Sequence, residues 1–174
     1  EFRKKENRDL ISAFTIRGRD ALEMMKRGAE KTWFRLINRS YEAQSQNVTV
    51  TLPGSGLPDE IIVVGAHYDS VPVGQGACDN GAGSAIILEL LRLFSEHRPQ
   101  RTLRFVWFGA EEVGLWGSKA YLKTHEDELT KHRLMINVDV GGSVMGSNFV
   151  RVTAEESVAH YIDFLAKELG YIAD

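Results

Sequence analysis

Ile61-Ile62-Val63-Val64-Gly65-Ala66-His67-Tyr68-Asp69-Ser70 is the stretch on which the fold turns. Four consecutive β-branched residues run into two small ones and then into polar residues. A continuous apolar run of this length, bounded by a polar turn, suits a strand buried on both faces. Two more runs follow the same plan, Leu103-Arg104-Phe105-Val106-Trp107-Phe108 and Leu134-Met135-Ile136-Asn137-Val138. Between them, residues 82–97 and 116–129 carry helical spacing, and 157–169 carry it again. Buried strands alternating with helices predict an α/β fold, a three-layer α/β/α domain around a mixed, mainly parallel sheet. Upstream, residues 32–41 and 46–52 are rich in Thr, Val, Ile and aromatics and read as an antiparallel hairpin. The connector Pro53-Gly54-Ser55-Gly56-Leu57-Pro58 joins it to the first run. Residues 18–30 carry helical spacing through Leu22, Met24, Met25 and Ala29.

The chain has 174 residues, enough for one domain and short for two. With 43% hydrophobic and 26% charged residues it is neither disordered nor dependent on disulfides for a core. Net charge is −3, so no electrostatic footprint for nucleic acid exists, and the basic run Arg3-Lys4-Lys5 is answered by Glu1, Glu6 and Asp9. No apolar run approaches the roughly 18 residues of a membrane span. The single cysteine, Cys78, excludes an internal disulfide and leaves the compartment open. Oligomeric state is not written in the sequence. The chain opens on Glu1-Phe2-Arg3 without an initiator Met or signal peptide and stops just after a helical pattern, as a piece of a longer protein would.

Polar residues cluster after each apolar run: His67-Tyr68-Asp69, then Glu111-Glu112, then Asp139. In open α/β sheets ligands bind outside the carboxyl ends of the strands, so these groups are expected in one crevice. Asp79 precedes the small-residue stretch Asn80-Gly81-Ala82-Gly83-Ser84 that opens a helix. Each residue also has an ordinary reading. His67 alone suits a hydrogen-bonded core histidine, Asp79 alone a helix N-cap, and Glu111-Glu112 alone a helix start favoured by the dipole. Cys78 has acidic neighbours that blunt it as a nucleophile. Four such placements at strand ends are more than these readings explain together. One imidazole and several carboxylates suit Zn²⁺, Mn²⁺ or Co²⁺, and the surplus of carboxylates suits two ions sharing one of them. His67 and Asp69, two apart on an extended segment, share a side, so Asp69 can accept from the second ring nitrogen. Of the adjacent glutamates, one can bind metal while the other serves as general base.

These residues in this order, from Gly65-Ala66-His67-Tyr68-Asp69-Ser70 through Asp79-Asn80-Gly81-Ala82-Gly83 and Gly109-Ala110-Glu111-Glu112-Val113-Gly114 to Ile136-Asn137-Val138-Asp139, resemble the two-zinc aminopeptidase family. That family includes secreted bacterial leucine aminopeptidases, with glutamate carboxypeptidases and glutaminyl cyclases as relatives. The likeness runs from about residue 46 to 140. It implies a zinc-dependent exopeptidase acting on peptides. By that resemblance His67 and Asp139 hold one zinc, Glu112 the other, and Asp79 bridges them. Glu111 is the general base, Asp69 the partner of His67, and the Asp79-Asn80 peptide bond cis. Carboxypeptidase or cyclase activity, or a metal-free receptor-like domain, are the alternatives the likeness leaves open.

The family's fifth ligand, a histidine well downstream, is expected beyond residue 174, so the 174 residues alone are expected to bind zinc weakly and hydrolyse little. His160 reads instead as a helix-surface histidine. Residues 12–36 loosely resemble the end of a protease-associated domain, so 1–30 are expected to close a separate domain and 31–174 to form part of the catalytic one.

Overall fold

The computed structural model describes residues 15–33, 35, 37, 39, 41–141 and 150–171. The chain divides into two compact units, Glu1–Glu42 and Ala43–Asp174. Among the described residues of the first, one helix forms, α1 (Gly18–Lys26). The charged start at residues 1–9 and the first part of the protease-associated likeness lie outside the described residues.

In the second unit the order is β1 (Val48–Leu52), β2 (Leu57–His67), α2 (Gly83–Glu96), β3 (Arg101–Phe108), α3 (Trp116–Thr124), β4 (His132–Asn137) and α4 (Glu156–Glu168). A short wide turn, Ala77–Ala82, leads into α2, and a 3₁₀ turn, Glu126–Lys131, leads into β4. The strands lie side by side as β1-β3-β2-β4. β2 pairs in parallel with both β3 and β4, and β1 pairs antiparallel with β3.

Alternation along β2 and β3 explains the layers. Ile61, Val63, Val106 and Phe108 turn to one face, where Tyr121 of α3 covers them. Val64, Ala66, Leu103 and Phe105 turn to the other, against Ile87, Leu90 and Leu91 of α2. Strands buried on both faces read as unbroken apolar runs, which is why they are visible in the sequence. The chain leaves β2 toward α2 and leaves the neighbouring β3 toward α3, on opposite faces. Their carboxyl ends therefore flank a crevice.

Two expectations need correction. No described residue of 32–41 belongs to a strand, and β1 pairs with β3, Val48 opposite Trp107. Trp33 and Tyr41 are 81% and 85% exposed, and β-propensity without a buried face makes no strand. The third apolar run is not buried on both sides: among the described residues β4 borders the sheet, with Leu134, Met135 and Ile136 39–49% exposed. The helical spacing over 116–129 resolves into α3 and the 3₁₀ turn.

On the α3 face, Arg104 of β3 donates to Glu128 in the 3₁₀ turn and to the Tyr121 hydroxyl at 3.1 Å. The same hydroxyl lies 2.8 Å from His132 Nε2, so one arginine ties β3, α3 and the start of β4 together. Its hydrogen bond holds the Glu128 carboxyl below the usual carboxylate range. A carboxylate lowered on folding stabilises the fold above its ordinary pKa, and that contribution is lost as pH falls through the lowered value. Glu128→Gln is expected to cost about 1–2 kcal/mol at neutral pH, the worth of a charge-assisted hydrogen bond with a partly exposed acceptor. Urea unfolding from pH 7 down to 3 checks it, since the variant and the parent should converge at the acid end.

Candidate metal centre

β2 delivers His67 to the crevice, buried at 3% exposure, and the Ser84 hydroxyl donates to its carbonyl at 3.0 Å. The Tyr68 amide donates to the Phe108 carbonyl at 3.0 Å and keeps the ends of β2 and β3 level. Asn47 accepts from the Gly109 amide at 3.2 Å and donates to the Gly117 carbonyl at 2.8 Å, closing the loop after β3 onto α3.

Asp79 sits in the turn before α2, where it and Asn80 leave helical geometry (φ −117° and −132°). The Asp79-Asn80 peptide bond is cis. Asp79 caps nothing; the neighbouring Asn80 does, accepting from the Gly83 amide at 3.0 Å while donating to the Val138 carbonyl at 2.9 Å. Asn80 thereby joins the residue after Asp79 to the residue before Asp139 and sets the two carboxylates' spacing. The backbone fits closely here: a Cβ on Gly83 would stand 2.6 Å from the Val138 carbonyl oxygen, and one on Gly117 2.8 Å from the Gly109 nitrogen.

Three of the expected residues converge. His67 Nε2 lies 2.9 Å from Asp79 Oδ1 and 3.1 Å from Asp139 Oδ1, and one ligand atom from each of the three falls within 4.8 Å of the others. The histidine closes the floor while Asp79 and Asp139, 51% and 42% exposed, open to the mouth. His67 Nδ1 faces the Asp69 main-chain carbonyl at 3.0 Å, which selects the tautomer protonated there. Nε2 then points a lone pair at two carboxylate oxygens. Acceptors meeting acceptors require a proton or a cation between them. Burial pushes the His67 imidazolium down, but the charge and hydrogen bond of Asp139, with the Asp69 carbonyl and the Glu111 charge, outweigh this together and leave the pKa raised.

The carboxylate of Asp69 is not the hydrogen-bond partner of that ring. It lies 3.6 Å away, and the carbonyl of the same residue takes the contact. Glu111 and Glu112 occupy a turn after Ala110 (φ 54°), ahead of α3, and so do not open a helix. Burial lifts the Glu111 carboxyl above its ordinary range, and Asp139, Glu112 and Asp69 add to this against the pull of His67. Glu112 stands outside the three-residue cluster, with Oε1 buried and without a hydrogen-bond partner. A buried carboxylate oxygen left unpaired in this way suits a cation. The donor set of one imidazole and three carboxylates fits zinc.

Cys78 is exposed, its Sγ 3.4 Å from the Gly141 carbonyl oxygen, and His160 pairs at 3.6 Å with Glu156 on the surface of α4. Asn80, Ser84 and Asn47 received no role from the sequence. Asn80 carried the one usable signal, a capping residue type three before Gly83.

The family model described as Peptidase family M28 matches residues 47–173. Carboxypeptidase Q of Bos taurus is 34% identical over 160 residues, covering 87% of this chain and 32% of its own length. An aminopeptidase of Bacillus subtilis is 40% identical over 101 residues, 57% of this chain and 22% of its own length. The chain thus spans about a third or less of these curated relatives. Among solved structures, a zinc aminopeptidase of Bacillus subtilis superposes with a TM-score of 0.65 at 31% identity, covering 72% of this chain and 33% of the other. No helix among the described residues is long and apolar enough to cross a membrane.

Proposed function

Because the chain belongs to peptidase family M28, we propose that it forms the metal-holding part of an exopeptidase that removes N-terminal residues from peptides. The observation that carries this reading is the meeting of His67, Asp79 and Asp139 beside a glutamate, Glu111, whose carboxyl is lifted by burial. In this reading His67, Asp79, Asp139 and Glu112 would hold the zinc, with Asp79 placed to serve more than one ion. Zinc supplies Lewis acidity toward the scissile carbonyl and makes a bound water more acidic. Glu111 accepts the proton of the attacking water and returns it to the departing amine nitrogen, so no net proton is consumed. A carboxyl raised above its ordinary range suits both halves of that transfer. His67, held by Ser84 and the Asp69 carbonyl, and the Asn80 bridge keep the ligands in register without rearrangement. Residues 1–30 belong, in the same reading, to a separate domain.

A second reading, carboxypeptidase activity, is favoured by the likeness to carboxypeptidase Q. The intact protein with zinc separates them. It is expected to hydrolyse an aminoacyl p-nitroanilide with a free α-amine, to spare an N-acylated dipeptide with a free carboxylate, and to hold two zinc ions by elemental analysis. The reverse preference assigns it to the carboxypeptidases. Turnover of neither substrate at full zinc loading defeats the peptidase reading.

A further inference from the structure

We propose that the Asp69 carboxylate acts as a positioning residue for Glu111 and Glu112, by gripping the backbone of the turn that carries them. This rests on the reading of the site given above and adds to it how the two adjacent glutamates come to hold different positions. Both carboxylate oxygens are engaged: Oδ1 accepts from the Glu111 amide at 3.0 Å and Oδ2 from the Glu112 amide at 3.1 Å. The imidazole of His67 has no need of them, because its Nδ1 already meets the Asp69 carbonyl at 3.0 Å while the carboxylate stands at 3.6 Å.

The turn has the shape such a grip requires. Ala110 takes a positive φ of 54°, and the two amides that follow point together into a concavity. Successive N–H groups arranged in this way form an anion-binding nest, and here the anion is a side chain of the protein itself. The carbonyl side of the turn is held separately. The Gly114 and Leu115 amides donate to the Glu111 carbonyl at 2.9 and 2.8 Å, and the Trp116 amide donates to the Ala110 carbonyl at 3.0 Å. Asp69 therefore supplies the restraint that α3 cannot, on the N–H side. Fixing two consecutive amides fixes the peptide plane between Glu111 and Glu112, and with it the divergence of their side chains. One segment, 67–69, thus sets both sides of the crevice: His67 directly and the glutamates through Asp69.

Asp69→Asn tests this, since it preserves size and offers one acceptor oxygen to two donors. In metal-free protein, amide hydrogen exchange at Glu111 or Glu112 is expected to accelerate at least tenfold, while Phe105 and Val106 in β3 exchange as in the parent. In the intact protein with zinc, kcat is expected to fall tenfold or more, with KM within twofold and zinc content unchanged. A merely structural role would instead lower the folded fraction and accelerate the β3 amides too. Unchanged exchange at both glutamates overturns the proposal, as does loss of zinc with both amides still slow, which would return Asp69 to His67. Failure of the peptidase reading shows itself elsewhere, in the substrate comparison above, and leaves the exchange result to stand or fall alone.

Discussion

Glu111→Gln in the intact protein is expected to lower kcat by about 10²–10⁴, the usual worth of a positioned general base. Zinc content should not change, because in the proposed arrangement this side chain faces the water and not the metal. KM should move little, as the lost interaction is made in the transition state. The amide retains the shape of the carboxyl and still fits beside Asp139, Glu112 and Asp69, whose charges surround it. Glu112→Gln provides the contrast: it replaces the carboxylate, whose Oε1 is buried and unpaired, by a neutral amide and should release zinc. Elemental analysis and hydrolysis of an aminoacyl p-nitroanilide on the same preparations decide it. If Glu111→Gln strips the metal and Glu112→Gln retains it, the two roles are exchanged.

Asp79→Asn should have the larger effect on metal. A residue that merely orients a ligand costs about 10–100-fold in metal affinity when removed. A carboxylate shared by two ions should exceed the upper end of that range and release both. The loss should be visible as a stoichiometry falling toward zero in equilibrium dialysis, not as a drop from two ions to one. Because Asp79 is half exposed and makes no cap, the fold should survive: α2 retains the Asn80–Gly83 bond, and urea unfolding of metal-free protein should remain a single cooperative transition. A variant that binds one ion normally would show that Asp79 serves a single site.

How much of this was legible in the sequence follows from which forces act locally. β2 and β3 announce themselves because burial on both faces demands an apolar run: 61–64 is unbroken, and 103–108 is broken only by Arg104, whose charge Glu128 answers. The carboxyl-end rule for parallel sheets points to the ends of these strands, where the structure brings His67 and Asp139 together. Pairing was less legible. β1 finds its partner in β3, with Val48 opposite Trp107, and nothing near residue 48 encodes a strand so distant. Nor does Leu134-Met135-Ile136 differ in composition from a central strand, although it lies at an edge. At single-residue scale, neighbours are easily confused. Asp79 and Asn80 are both capping types, and only the geometry shows that Asn80 caps. The atom of Asp69 in contact with His67 is its carbonyl, and no residue-type argument distinguishes main chain from side chain.

The crowding at Gly83 and Gly117 bears on how such a centre can change over generations. Neither position carries a titratable group, yet the addition of a single methyl to either would press on the backbone that carries Asp139 or the glutamates. A survey that ranks positions by chemical reactivity would pass over both. One that scores every substitution for function should find them among the least forgiving in the chain. Heritable loss of activity could therefore arrive through residues that never touch metal or peptide, and its repair would have to restore an empty space, which no compensating charge elsewhere can do.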